Sequence, residues 1–460
     1  MTVLMLTLAL VLTNLVFTGC GNDIKDLPQR IEEKVSAYET DIMDSLGTLD
    51  NNDSIRTYLY NWAKSKDISV SYDYSNNVIM SIKSDKDHKD ADPVVVQCSY
   101  DEKNMANCVQ TMAVALYLAK NPENHGSLKV IFTAESGHDF AGIEGLSSEY
   151  FTNKTKVFCL SPTLSKIVSS NSGASAKYTF SHDVDRVSPK NSMAYKIRIK
   201  GLTGGIPDKK ISSYPNPIKA LGDLLAYFKT NSIIFELASF SGGGSSYNVF
   251  PKSATMTIVI NENDKEKFTK RMDNVIEKFN DNNLESQPDL AYTYEEVDVP
   301  DTVLSSDDCN QFVSLLYTTL DGVYYKDDDG NIISITNVGS IEQKNGRYYM
   351  HIMADSLDDT NLDEISNSFK TICSLCDATY KLDDRSEGWS ANTETDFFTS
   401  FAESYRLATG DDVEYKDSVA PTANSYIKAK NPKTESVYLG VTEKNRFDIT
   451  EAIIKYMGRS

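Results

Sequence analysis

Pro93-Val94-Val95-Val96-Gln97 sets three consecutive valines between a proline and a glutamine, the texture of a strand buried on both faces. It leads through a polar loop into a helical stretch, about Ala106 to Lys120, and then into a second buried run, Leu128 to Thr133. Strand, helix and strand at this spacing predict a βαβ unit and a parallel sheet. Lys156 to Leu160 reads as the next strand. Ligands of such sheets sit beyond the carboxyl ends of the strands, which here means residues 98–101, 134–137 and 161–163.

Working outward, Ile55, Tyr58, Leu59, Trp62 and Ala63 share one helical face, while 68–72 and 78–82 read as strands around the turn Ser75-Asn76-Asn77. From about Ser188 the texture changes to alternating strands (195–200, 233–237, 254–260) and amphipathic helices (217–229, 265–279). A similar set recurs: helix 308–320, strands 332–338 and 348–353, helix 362–376. After Gly388-Trp389 come a helix (394–408), a strand (437–440) and a terminal helix (449–457). The expected architecture is an α/β domain with a mostly parallel sheet (21–187 and 388–460), interrupted by an inserted α+β lid (188–387).

The 460 residues carry 46 basic and 66 acidic side chains, a net charge of −20. That excess argues against nucleic acid or an anionic membrane surface as partner, since phosphate binding needs clustered Lys and Arg. An apolar content of 40% with 10% aromatics belongs to a folded chain. Outside the first stretch no apolar run is long enough to span a bilayer. Val3 to Phe17 is mostly apolar and ends in Thr18-Gly19-Cys20. This resembles a bacterial lipoprotein signal in which Cys20 is lipidated, and it implies export and anchoring to the outer face of the cell membrane. It departs from that pattern in lacking Lys or Arg in residues 1–5 and in having Phe17 where Leu is usual; a plain secretory signal or a buried helix is the other reading. Six further cysteines, Cys98, Cys108, Cys159, Cys309, Cys373 and Cys376, could pair in an oxidising compartment, or stay buried as thiols.

In order along the chain stand Trp62-Ala63-Lys64, Asn77-Val78-Ile79, Pro93 to Gln97, Gly201-Leu202-Thr203-Gly204-Gly205, Asn248-Val249-Phe250-Pro251, Asn337-Val338-Gly339 and Gly388-Trp389. Taken together, from about Ser54 onward, these segments resemble the aminoacyl-histidine dipeptidase branch of the zinc-dependent, aminoacylase-like metallopeptidases. The resemblance implies a catalytic domain with two zinc ions and a lid that supplies substrate contacts and a dimer surface. It also implies that Asn248 and Asn337 line the substrate cleft.

The ligands of that family are largely absent. In place of Gln-Gly-His-x-Asp the chain has Gln97-Cys98-Ser99-Tyr100-Asp101, so the first histidine ligand is Ser99 and the orienting Asp101 is left without its client. The bridging aspartate corresponds to Asn107, the glutamate pair to Glu135-Ser136, the next aspartate to Ser161 and the lid histidine to Ile206. The lid arginine that grips a substrate carboxylate corresponds to Asp355. None of the five histidines, His88, His125, His138, His182 and His351, sits in a ligand position. Hydroxyls and neutral amides bind zinc poorly beside imidazole and carboxylate. The expectation is therefore a pseudoenzyme without a metal cofactor, whose cleft takes a peptide or small ligand, with Glu135 a vestigial general base. The alternative is an active zinc-dependent dipeptidase or amidohydrolase with a site rearranged around Glu135. A third reading is an assembly component that dimerises through the lid.

Other candidates have plainer explanations. His138 reads as a loop histidine, and Cys98, Cys108 and Cys159 as a disulfide, a soft-metal cluster or buried thiols. Cys373 and Cys376 fall in an amphipathic helix, without the strand-to-helix context of a redox motif. Asp327-Asp328-Asp329-Gly330-Asn331 lacks the closing glutamate of a calcium loop and reads as an acidic turn. Residues 241–246 resemble a phosphate cradle only in glycine content, and read as a lid loop.

Overall fold

The computed structural model describes residues 27–46, 49, 51–100, 106–121, 125–135, 140–163, 166–205, 213–244, 247 and 249–458. The signal stretch with Cys20, and Asp101, Ser136, His138, Ile206 and Asn248, lie outside the described residues, as does the side chain of Asn107.

Helix α1 (Leu27–Leu46) precedes α2 (Asn52–Ser65), whose start is fixed by Asn51: its side chain accepts from the Ser54 amide while the Ser54 hydroxyl closes the reciprocal bond. Strands β1 (Ser69–Tyr72) and β2 (Val78–Ile82) form a hairpin. In its turn the Asp73 carboxylate accepts from the amides of Ser75 and Asn77, and Asn76 takes the left-handed conformation (φ 64°). Then follow β3 (Val94–Tyr100), α3 (Ala106–Lys120), β4 (Leu128–Ala134), the short α4 (Ala141–Gly145), β5 (Lys156–Pro162) and β6 (Ile167–Ser172).

The chain next enters a second sheet: β7 (Ala174–Asp183), β8 (Met193–Lys200), α5 (Pro217–Thr230), β9 (Phe235–Gly243), β10 (Ala254–Ile260), α6 (Lys265–Asn283) and β11 (Ala291–Val297). It continues with α7 (Ser306–Thr318), β12 (Gly322–Lys326), β13 (Ile332–Lys344), β14 (Arg347–Ser356), α8 (Asp359–Leu375) and β15 (Thr379–Ser386). It returns through β16 (Trp389–Ser390), α9 (Asp396–Thr409), β17 (Tyr415–Ser418), α10 (Ala423–Lys430), β18 (Glu435–Val441) and α11 (Arg446–Met457).

The first sheet runs β1-β2-β4-β3-β5-β18-β6-β16, with β17 beside β6. Its centre, β4-β3-β5-β18, is parallel; β1, β2, β6 and β16 join antiparallel, and β17 runs parallel to β6. The fold is thus α/β, as expected, with a mixed sheet whose centre is parallel. Parallel strands need cover on both faces. On one side Leu59 and Trp62 of α2, Met112 of α3, Phe397 and Phe401 of α9 and Ile453 of α11 build a core, and on the other Ile143, Trp389 and Ile427 pack over Val95, Ile131 and Val157.

The second sheet, β11-β8-β10-β9-β13-β14-β7-β15 with β12 beside β13, is antiparallel throughout. One face carries Tyr178 and Phe180 into a core shared with Leu221, Phe312 and Phe369 of the lid helices. The chain crosses into this sheet at Gly173, earlier than the expected Ser188. The crossing is tight, because a Cβ on Gly173 would stand 2.2 Å from the Val419 carbonyl oxygen and 2.6 Å from that of Ser356. β7 escaped notice because its outward positions, Ser175, Lys177 and Thr179, break the apolar run of Ala176, Tyr178 and Phe180.

Among the described residues no disulfide forms, and the six cysteines are buried thiols. Burial pushes Cys373 up to about 12, in keeping with a core position. Asp327 closes the β12–β13 hairpin by accepting from the amide and side chain of Asn331, as an acidic turn should. No described helix is long and apolar enough to cross a membrane.

Phe158 of β5 meets Phe397, Phe401 and Tyr456 at ring distances of 5.4, 5.4 and 5.1 Å, tying the early strands to the C-terminal helices. Phe158→Ala should therefore destabilise the protein by about 3–5 kcal/mol. A fall in the urea midpoint of a fluorescence-monitored unfolding curve checks this; an unchanged midpoint would mean the ring cluster does not join the two chain segments.

Candidate functional site

The carboxyl ends of β3, β4 and β5 open onto a cleft of about 750 Å³ between the two sheets, within the size range of small-ligand sites. From the first domain its wall takes Gln97, Ser99, Glu135, Cys159 and Ser161, and from the lid Ser175, Lys177, Met353, Asp355 and Asp384.

Asn77 holds the end of β4 in place. Its Oδ1 accepts from the Ala134 amide (3.0 Å), while its Nδ2 donates to the Gly142 carbonyl (2.9 Å) and to Asp73 (2.8 Å). Gly142 is required for this approach, since a Cβ there would lie 2.3 Å from the Ala134 carbonyl oxygen. One residue beyond the clamp, the Glu135 amide donates to the Tyr100 carbonyl, and its own carbonyl accepts from the Asn52 side chain at 2.8 Å. Its carboxylate accepts from the Thr133 hydroxyl at 3.4 Å, and that hydroxyl in turn accepts from Gln97 Nε2 at 2.9 Å. Glu135 is 5% exposed, fixed at both backbone and side chain.

Across the cleft, three lid strands present one row of side chains. In register, Asp355 of β14 faces Ser175 of β7, and Ser175 faces Ser386 of β15. The next row on the same face is Met353, Lys177 and Asp384, with Lys177 3.4 Å from Asp384. Asp355 is fully buried, and neither of its carboxylate oxygens has a hydrogen-bond partner among the described residues. Burial pushes its acid up to about 7, while the nearby Ser175 hydroxyl and Lys177 charge pull it back only in part. Phe140, in the left-handed conformation (φ 59°), stacks on Tyr426 at 5.0 Å over the same cleft. Burial, reinforced by the charges of Asp384, Glu144 and Glu135, pushes the Tyr426 hydroxyl up to about 12.

The expected site residues divide three ways. Ser99, Ser161 and Glu135 come together on the cleft wall. Asp101, Ser136 and the side chain of Asn107 lie outside the described residues. Asn337 is buried in β13, in register with Met353 on the cleft-facing side of the lid sheet, and its Nδ2 donates to the carbonyls of Tyr247 (3.3 Å) and Val249 (3.2 Å). There it clamps the chain at Tyr247 and Val249. Sequence reasoning missed the Asn77 clamp, the Gln97–Thr133 chain and the Phe140–Tyr426 stack. Asn77 carried a signal, as part of a quoted segment; the other two join residues whose proximity only folding creates.

Among the described residues, the hydroxyl and thiol donors at the ends of β3 and β5 do not suit a dinuclear zinc centre. Ser99 and Ser161 offer hydroxyls, and burial raises the Cys159 thiol far above neutrality, so it is held protonated. None of the four described histidines lies on the cleft wall. Among the described residues no three His, Cys, Asp or Glu side chains gather as a metal-holding group.

No protein-family model matches the sequence, and no curated protein matches it. In three dimensions the chain is similar to an aminoacylhistidine dipeptidase from Vibrio alginolyticus, with 18% identity and a TM-score of 0.61 over 92% of this chain and 96% of that one. The fold is that of this dipeptidase. A tripeptidase from Staphylococcus aureus (11% identity, TM-score 0.50, 93% and 99% covered) and human carnosine dipeptidase 1 (8%, 0.50, 94% and 99%) share it. Within the dipeptidase fold, the cleft described above lies between the sheet of the first domain and that of the lid.

The Asp355 carboxyl gives a pH test. Its folded-state acid lies above the ordinary carboxylate value, so the stability tied to its neutral form is fully present below about pH 4 and is lost as pH rises through about 7. Asp355→Asn, which cannot ionise, should match the natural protein at pH 4 and exceed it by roughly 2–4 kcal/mol at pH 8. Thermal unfolding at the two pH values checks this, and an equal difference at both would remove the titration argument.

Proposed function

We propose that this chain is a non-hydrolytic, peptidase-like binding protein, carried on the outer face of a bacterial cell membrane by a lipid on Cys20, with a peptide or small ligand seated in the cleft between its two sheets. The observation that carries the reading is the wall at the ends of β3 and β5: Ser99 and Ser161 stand there beside a protonated Cys159. Hydroxyls and a neutral thiol do not hold a pair of zinc dications. Glu135, on the same wall, has the position and rigidity of a general base. Lacking a metal-lowered water to deprotonate, it has no strong nucleophile to generate. Lid-mediated pairing of two copies belongs to the same proposal, as the role left to the lid.

Incubation of the purified full chain with excess zinc and manganese, followed by desalting, plasma mass spectrometry and dipeptide hydrolysis assays, tests this reading. Tightly held metal well below one ion per chain and hydrolysis no greater than that of Glu135→Gln are expected. Two retained ions per chain with hydrolysis abolished by Glu135→Gln would establish the active alternative.

A further inference from the structure

Among the described residues, the cleft wall carries six carboxylates, Glu135, Asp327, Asp355, Asp384, Glu414 and Asp417, against two ammonium groups, Lys177 and Lys416. Both lysines are already engaged, Lys177 with Asp384 at 3.4 Å and Lys416 with Glu414 at 3.1 Å. Asp327 is occupied in its own turn. The two buried carboxyl groups of the cleft are Glu135 on one wall and Asp355 on the other, with Asp417 at the more exposed margin.

An acidic cleft alone says little, but Asp355 adds an independent observation. It is fully buried, lines the cleft, and has no hydrogen-bond partner on either oxygen among the described residues. A buried carboxylate left this way costs stability, and a group that costs stability in a cleft commonly serves binding. The missing partner is a cation with hydrogens to donate. Over the same space lie the stacked rings of Phe140 and Tyr426, with Tyr415 and Tyr438 also on the wall. Aromatic faces attract ammonium groups, most strongly where water is excluded.

We propose that the cleft takes a small aliphatic amine cation, its ammonium groups seated on Asp355 and Glu135 and covered by the Phe140–Tyr426 stack. This rests on the cleft-binding reading above and narrows it to a ligand class. It also reverses the polarity of the site: a ligand presenting a free carboxylate at the lid end would meet Asp355 and be repelled.

Isothermal titration of the purified full chain with spermidine and, separately, glycylglycine at 0.15 M salt tests the inference. Saturable spermidine binding is expected, weakened at least tenfold in Asp355→Asn and in Glu135→Gln. Glu262→Gln, an exposed lid position away from the cleft, should leave it unchanged and so exclude attraction by net charge alone. Asp355→Asn is expected to fold, because it removes a buried charge. Spermidine affinity equal in all four proteins would overturn the proposal. Glycylglycine bound with spermidine ignored would overturn the amine class and leave the cleft-binding reading standing. Neither bound would overturn both.

Discussion

The structure rests on one constraint: strands β3, β4, β5 and β18 run parallel, and parallel strands must be covered on both faces. Three valines, Val94, Val95 and Val96, point alternately into two cores, one under Trp62, Phe397 and Ile453 and one under Ile143, Trp389 and Ile427. Neither cover comes from one part of the chain. Helices from before residue 121 and after residue 395 share the first, so the lid between them is held at both ends by the same sheet. With the strands fixed in this way, their carboxyl ends can open only toward the lid.

At that opening the chemistry follows from burial more than from net charge. Glu135 is buried with its oxygen and both backbone groups engaged, which makes it a rigid acceptor. Asp355 is buried without hydrogen-bond partners among the described residues, which makes it an expensive one. Two carboxylates on opposite walls thus differ in kind: one is positioned by a chain of hydrogen bonds through Thr133 and Gln97, the other by strand register alone. Opposite them the lid's second row is internally neutralised by Lys177 and Asp384.

Much of this was legible in the sequence where local pattern and final environment agree. The valine run, the helix at 106–120 and the strand at 254–260 lie where their periodicity puts them. Several elements were not legible, among them helix 27–46 and strands 167–172, 174–183, 291–297 and 379–386. Helix 27–46 buries only a sparse stripe, Val35, Glu39 and Ile42 among its described side chains, within a charged stretch. Strand 174–183 carries polar residues on its cleft face, so its alternation looked like loop. For the site, Ser99 and Ser161 were found through the resemblance and do stand together. Asn337 was placed by the same resemblance and stands in register with Met353 on the cleft-facing side of the lid sheet, but its bonds to the carbonyls of Tyr247 and Val249 left no trace in the sequence. The stack of Phe140 on Tyr426 joins residues far apart in the chain and left no local trace.

The pairing of β5 with β18 has a consequence for how the molecule comes to exist. Lys156 and Glu435, neighbours at the start of that ladder, are 279 residues apart in sequence. Loop-closure entropy grows only with the logarithm of length, so the equilibrium cost is modest, but the order of events is severe. In a chain synthesised from its N-terminus, the edge of β5, with Val157, Phe158 and Leu160, waits uncovered while the whole lid is made. Premature termination after the lid would therefore leave an adhesive strand edge rather than a smaller working protein.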